Sequence, residues 1–346
     1  MFCNQCEQTA KGIACTVAGV CGKNAEIAAV QDGIVHALRG LAVAALQSAG
    51  TGSPDKKYGR LCVQALFATI TNVNFDRGPL VDMLRNVLAA RNDLQSKSAS
   101  SSKLTIMEFD PSGDENAVVE QCAGLSPDHF FSNPDINSLA QILLFGLKGA
   151  AAYADHAAIL GQEDDALYKA FFTGLSFGFD GKEPGLDEWI AAVLECGKTN
   201  IRAMELLDAG NTGTYGHPEP TRVSLSPREG KAILVTGHDL KDLHDLLVQT
   251  EGKGVNIYTH GEMLPAQAYP GLKKFPHFAG HFGTAWQNQQ KEFPDFPGPI
   301  LFTTNCIQKP QPNYADRVFT TGLVGWPGIK HVPNGDLSSV IACALE

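Results

Sequence analysis

Four cysteines open the chain. Cys3, Cys6, Cys15 and Cys21 lie within MFCNQCEQTAKGIACTVAGVCGK, spaced C-x2-C-x8-C-x5-C, and they are four of the nine cysteines in the whole sequence. Thiolates this dense in one segment can close a metal or iron–sulfur site. Structural zinc commonly takes two close cysteine pairs, a pattern that x8 followed by x5 does not supply. The spacing also departs from the bacterial ferredoxin run and from the plant-type run. Irregular spacing suits a cluster wrapped by a loop, with Gly12, Gly19 and Gly22 letting the backbone bend around it. Reduced core thiols and a zinc knuckle are the competing readings.

A second set is spread along the last third of the chain. His238 ends KAILVTGHD (231–239) but for one residue, Glu262 ends GVNIYTHGE (254–262), and Cys306 ends GPILFTTNC (298–306). Each run reads as a short strand, so each residue falls at a strand's carboxyl end. In an open parallel sheet those ends converge, and ligands bind in the crevice beyond them. An imidazole, a carboxylate and a thiolate meeting there would form a mixed nitrogen, oxygen and sulfur metal site. Each residue also has a plainer reading. His238 or Asp239 could cap the next helix, with Asp239 the better cap. Glu262 could be a surface acid, and Cys306 a small buried hydrophobe.

The elements that must position these residues fall into two groups. Apolar residues recur at helical spacing in 25–50, 61–70, 79–94, 137–161 and 186–210, with Gly50 as a C-cap. Alanine-rich faces allow close helix packing, so this part reads as an α-helical bundle. SKSASSSK (96–103) reads as a low-complexity loop. After NTGTYGHPEPT (211–221) short apolar runs alternate with helical segments, and DRVFTTG (316–322) adds another strand. That alternation predicts a Rossmann-like parallel sheet with crossovers. The expected domains are an α-helical domain over 1–228 and an α/β domain over 229–346, a multidomain α and α/β fold.

At 346 residues the chain can bury a large core, and 44% hydrophobic with 18% charged residues is the composition of a globular protein. A net charge of −10 repels phosphate backbones, so no nucleic-acid partner is expected. No signal peptide is read at the N-terminus, and the apolar stretch Ile34 to Ala49, with His36, Arg39 and Gln47, reads as too short and too polar to span a bilayer. A cytoplasmic chain with thiols or metal ligands rather than disulfides follows. Cys62, Cys122 and Cys196 read as core thiols, and His36 and His156 as interior helix residues. His277 and His281 form H-x3-H in a glycine-broken segment that reads as a loop. His260 reads as a turn residue, and Trp286 as packing near the second site or against the sheet. GLVGWPG (322–328) lacks the G-x-G-x-x-G order of a dinucleotide loop.

Long segments then converge on one family. The opening cysteine segment, LFATITNVNFD (66–76), GLKGAAAYADHAAILG (146–161), GHDLKDL (237–243), YTHGEMLPA (258–266), GPILFTTNC (298–306) and TTGLVGWPGIKH (320–331) resemble those of the hybrid cluster protein, or prismane, family of hydroxylamine reductases. The likeness is colinear over essentially the whole chain. It implies that Cys3, Cys6, Cys15 and Cys21 hold a 4Fe–4S cluster, as in the strict-anaerobe class. It implies that His238, Glu262 and Cys306 are three ligands of the hybrid 4Fe–2O–2S cluster, with Glu262 the residue whose carboxylate opens the catalytic iron. The activity implied is reduction of hydroxylamine to ammonia and of nitric oxide to nitrous oxide, under nitrosative stress, with electrons from a separate reductase. Family members continue into a further α/β domain that supplies three more cysteines and another glutamate, and Cys343 matches none of them. The resemblance therefore carries two expectations: a companion chain restores the missing ligands, or the chain is an electron-transfer or scaffold module without catalysis. A nickel enzyme of the carbon monoxide dehydrogenase type and a zinc-stabilised structural protein are further rivals.

Overall fold

The computed structural model describes residues 1–97 and 104–346, so the run read as a loop at 96–103 lies outside the described residues from 98 onward. The chain divides into two compact units. One comprises Met1–Ile70 with Asp76–Leu207, the other Thr71–Phe75 with Asp208–Glu346.

In the first unit the helical periodicity is realised as α1 (Ala25–Ala49), α2 (Lys56–Ala68), α3 (Arg77–Lys97), α4 (Glu115–Cys122), α5 (Pro134–Ile159), α6 (Asp165–Ser176) and α7 (Leu186–Tyr215), the last of which runs on into the second unit. Asn24 starts α1 by accepting the Ile27 N–H at 2.9 Å. Gly50 ends it at φ 55°, its N–H on the Leu46 carbonyl. α1 is apolar on nearly every side, as the central helix of a bundle must be. By length and composition alone it could cross a membrane, contrary to the reading of 34–49 as too short and too polar. Burial of 83% of its apolar window inside the protein instead makes it a core helix. α4 and α6 were not read from the sequence, although Asp114 and Asp164 cap them through the Ala117 and Ala166 N–H groups. Gly59 of α2 faces the Tyr168 ring of α6 so closely that any side chain there would collide with it.

The second unit is a six-stranded, all-parallel sheet. Its strands are β1 (Lys231–Thr236), β2 (Val255–His260), β3 (Phe278–His281), β4 (Ile300–Phe302), β5 (Val318–Thr320) and β6 (Lys330–His331), with α8 (Leu240–Thr250), α9 (Pro270–Lys273), α10 (Gln289–Glu292) and α11 (Ser338–Leu345) between and after them. The order is β3-β2-β1-β4-β5-β6, the doubly wound order whose direction reverses beside the first strand. The expected multidomain α and α/β architecture is therefore the observed one.

Two expectations are corrected. The glycine-broken segment around His281 is not a loop: Phe278–His281 is β3. Gly280, at φ 155°, is there because the chain at Ser224 passes against it, and the His281 N–H bonds the Ser224 carbonyl at 2.9 Å. A strand glycine of this kind marks close backbone approach rather than a break. The division between units also falls earlier than 228. Residues after Leu207 pack on the α/β unit: Glu219 N–H bonds the Ala268 carbonyl at 2.9 Å, and Arg228 N–H bonds the Tyr258 hydroxyl at 2.7 Å.

Candidate metal centres

β1, β2 and β4 are adjacent in the sheet, and each delivers one polar residue just past its carboxyl end. His238 Nε2 lies 3.1 Å from Glu262 Oε2, and Cys306 Sγ lies 3.2 Å from the same oxygen. The three ligand atoms all fall within 4.8 Å of one another. Cys306 is buried at 3% exposure, whereas the side chains of His238 and Glu262 are 33% and 52% exposed. The group thus has a buried sulfur floor and an open side.

Local backbone chemistry explains the convergence. Gly237 sits at φ 118°, and a side chain there would come within 2.6 Å of Thr303 Oγ1 and 2.8 Å of the Thr304 nitrogen. Only glycine lets β1 turn that tightly against the end of β4. Thr304 Oγ1 then accepts the His238 N–H at 2.7 Å and lies 3.3 Å from His238 Nδ1. The hydroxyl proton of Thr304 points to Asn305 Oδ1 at 3.2 Å. Nδ1 is then the donor toward Thr304, and Nε2 presents its lone pair to Glu262. A bare nitrogen against a carboxylate oxygen calls for a cation or a proton between them. Asp239 caps α8 through the Lys241 and Asp242 N–H groups, so His238 is not the cap.

Gly261, at φ 57°, turns the chain beside Trp286 just before Glu262. Cys306 itself adopts φ 80°, a region that few side-chain-bearing residues occupy and that clusters at functional sites. Three contacts hold it there. The Gln289 side chain, 1% exposed, donates to the Cys306 carbonyl at 2.6 Å, and Asn72 exchanges bonds with Ile307 on both sides, N–H to O at 3.1 Å and Nδ2 to O at 2.7 Å. Asn72 is also left-handed, at φ 60°. Its segment, Thr71–Phe75, belongs to the second unit although its sequence neighbours belong to the first. Thr304, Gln289 and Asn72 were not singled out from the sequence, because side chains that brace loops carry no periodic signal.

The electrostatics of the group suit ligation. With a proton on His238 Nε2, the hydrogen bond it donates holds the Glu262 carboxyl below the usual carboxylate range, with the Cys306 thiol helping; metal would take that proton's place. Burial pushes the Cys306 thiol well up, and the Glu262 charge adds to that. Ligation needs the thiolate, so metal uptake here is coupled to loss of that proton.

His260 is not a turn residue. It ends β2, fully buried, with Nε2 2.9 Å from Glu292 and Nδ1 3.3 Å from Thr236, and it stacks on His281 at 6.5 Å between centroids. His277 bonds Thr250 instead, so H-x3-H is not one ligand face.

The four loop cysteines are arranged differently. Cys3 and Cys15 pair as a short antiparallel bridge, Cys3 N–H to Cys15 O at 3.1 Å and the reverse bond at 2.8 Å. Gly12 and Gly22 take φ 67° and 97°, and a side chain on Gly19 would come within 3.0 Å of Cys21 Sγ. The Ala10 N–H points at Cys15 Sγ at 3.4 Å, and the Gln5 amide at Cys3 Sγ at 3.6 Å. N–H groups aimed at cysteine sulfur are the contacts that tune iron–sulfur clusters. Burial pushes the Cys21 thiol up, and the charges of Cys3 and Cys6 act on it in the same direction. Among the described residues the group placed to hold a single ion is His238, Glu262 and Cys306. Cys62, Cys122 and Cys196 are buried, and burial pushes the last two thiols up to about 12 and about 11.

A doubly wound sheet with a nitrogen, oxygen and sulfur side-chain group at its carboxyl edge, together with a helical unit that opens on a four-cysteine loop, defines a multidomain α and α/β protein with two candidate metal centres. The chain belongs to the Prismane/CO dehydrogenase family, which matches it over residues 1–346. It is 55% identical over 348 residues to a hydroxylamine reductase of Maridesulfovibrio salexigens, covering 100% of this chain and 64% of that protein. It is 53% identical over 353 residues to a hydroxylamine reductase of Methanocella arvoryzae, covering 100% and 65%. The chain thus spans somewhat less than two thirds of the length of these relatives. A solved structure, carbon monoxide dehydrogenase IV from Carboxydothermus hydrogenoformans, aligns with 99% of this chain and 54% of its own at 15% identity and a TM-score of 0.38.

Proposed function

We propose that this chain forms the electron-input part and one wall of the reduction site of a hydroxylamine reductase. The observation that carries the reading is the meeting of His238 Nε2, Glu262 Oε2 and Cys306 Sγ at an open sheet edge. Cys3, Cys6, Cys15 and Cys21 would hold a 4Fe–4S cluster, and His238, Glu262 and Cys306 part of a 4Fe–2O–2S cluster. When bound, the iron supplies single electrons and Lewis acidity toward an N–O bond. Each hydroxylamine takes up two electrons and two protons to leave ammonia and water; two molecules of nitric oxide take up the same number to leave nitrous oxide and water. The electrons come from a separate reductase.

The chain's own residues divide the work. Cys306, buried and braced by Gln289, fixes one ligand atom. His238 is held by Thr304 with Nε2 outward. Glu262 is the most exposed of the three and the one free to swing away from metal and make room for a small nitrogen oxide. A companion polypeptide supplying further ligands would close the open side. The test is anaerobic: the reconstituted chain, alone and with such a companion, is reduced and mixed with hydroxylamine. Ammonia release that Glu262→Gln abolishes at unchanged iron content supports the reading; equal release by wild type and variant removes Glu262 from it.

A second reading is favoured by the fact that the sheet-edge group contains three ligands and no more among the described residues. On it, the chain is an electron-transfer or scaffold module that keeps only the loop cluster. About four irons per chain indicate that module, and about eight indicate both centres.

A further inference from the structure

Behind Cys3 lies a cavity of about 20 Å³, lined among others by Gln5, Lys23, Gln31, Asp32 and Lys148. Lys23 and Lys148 are 3% and 5% exposed. Lys23 donates to Gln31 Oε1. Lys148 projects from the middle of α5, a helix whose buried face is otherwise mostly alanine and leucine, and no carboxylate among the described residues closes an ion pair with it. Burial pushes it down to about 8 and the charge of Lys23 adds to that, while Asp32 and Cys3 pull the other way. The cavity therefore gathers two ammonium groups and one carboxylate. A buried ammonium is costly unless negative charge lies within reach. The charge facing this pair, besides Asp32, is the sulfur of Cys3.

We propose that Lys148, assisted by Lys23, is the counter-charge of the cluster held at Cys3, and that it sets the potential at which that cluster takes up an electron. Reduction by the donor places one more negative charge on the thiolate-ligated centre, so a fixed, buried cation stabilises the reduced form over the oxidised one. Lys148 is a positioning charge rather than a ligand. Its removal shifts the equilibrium without changing the ligand set. Asp32 works in the opposite direction, offsetting part of the positive charge.

The proposal rests on the reading that the four loop cysteines bind an iron–sulfur cluster, and the test separates the two. Wild type, Lys148→Met, Lys148→Arg and Asp32→Asn are reconstituted anaerobically, checked for iron and sulfide, and titrated at pH 7.5, where Lys148 (about 8) and Asp32 (pushed up by burial to about 7) are both mostly charged, with reduction of the cluster followed by electron paramagnetic resonance. Lys148→Met is expected to make reduction at least tenfold less favourable, a midpoint at least 59 mV lower for one electron. Lys148→Arg keeps the charge and the wild-type midpoint, and Asp32→Asn moves it upward. Should Lys148→Met fail to load, Asp32→Asn decides: an upward shift supports the proposal and an unmoved midpoint overturns it. A loaded Lys148→Met with the wild-type midpoint also overturns it. A wild-type chain that binds no cluster overturns the underlying cysteine reading instead.

Discussion

Thr304 shows how a side chain outside the ligand set decides whether the ligand set works. It takes the His238 N–H and faces Nδ1, so it fixes the imidazole's rotation and the nitrogen left for metal. Thr304→Val keeps the shape and removes both contacts. Partners of this kind typically contribute 10–100-fold to metal affinity, and a loss of about that size in ferrous-ion binding at the sheet edge is expected, while the metal-free chain stays folded with a melting midpoint lowered by the unpaired His238 N–H. Buried thiols give a complementary expectation. Cys62 and Cys122 are inaccessible, and their thiols are pushed up by burial. An alkylating agent at pH 8 should leave both unmodified in the folded metal-free chain while labelling the half-buried Cys3 and Cys6, as peptide mass analysis would show. At this scale the meeting of His238, Glu262 and Cys306 was legible because each sat at the carboxyl end of a readable strand. Asn72, Gln289 and Thr304 were not, since their roles depend on loop conformations with no repeating pattern.

α8 illustrates the same division for an element. The sequence indicated its start, and Asp239 caps it as expected. Asp239→Ala should cost about 1 kcal/mol, read as a lower midpoint in urea at pH 5. The cap also brings Asp242 into a buried position between Asp239 and Asp245. Burial first, then those two charges, pushes the Asp242 carboxyl up to about 8. Its folded value lies above the unfolded value of about 3.9, so the folded state holds a proton that the unfolded chain releases. The stability from this group is complete below about pH 4 and lost as pH rises toward about 8. Asp242→Asn should flatten that decline, and its thermal midpoint should exceed wild type at pH 8 but not at pH 4. Long periodic helices and the strands β1, β2, β4 and β5 were readable. β3 was not, because Gly280 looked like a break, and its reason is Ser224, distant in sequence. α4 and α6 were missed because one is only eight residues long and the other mixes glycine with aromatic residues; their capping aspartates were the available signal.

For the molecule as a whole, the two-unit organisation was visible in the shift from helical to alternating patterns. The place of Thr71–Phe75 was not. That segment pairs with residues more than two hundred positions later, through Asn72 with Ile307 and Asn74 with Leu323, and nothing local announces such a pairing. The family match over residues 1–346 gives the colinear motifs their common origin. On the proposed function the cysteines of the opening loop bind iron and sulfide. The most direct test of that binding is iron, zinc and acid-labile sulfide analysis of the chain reconstituted without oxygen, alongside a variant with Cys3, Cys6, Cys15 and Cys21 changed to serine. The expected result is at least about four irons and four sulfides per wild-type chain, with about four of each lost in the variant. A colourless wild-type chain that holds zinc, or no metal at all, would contradict it.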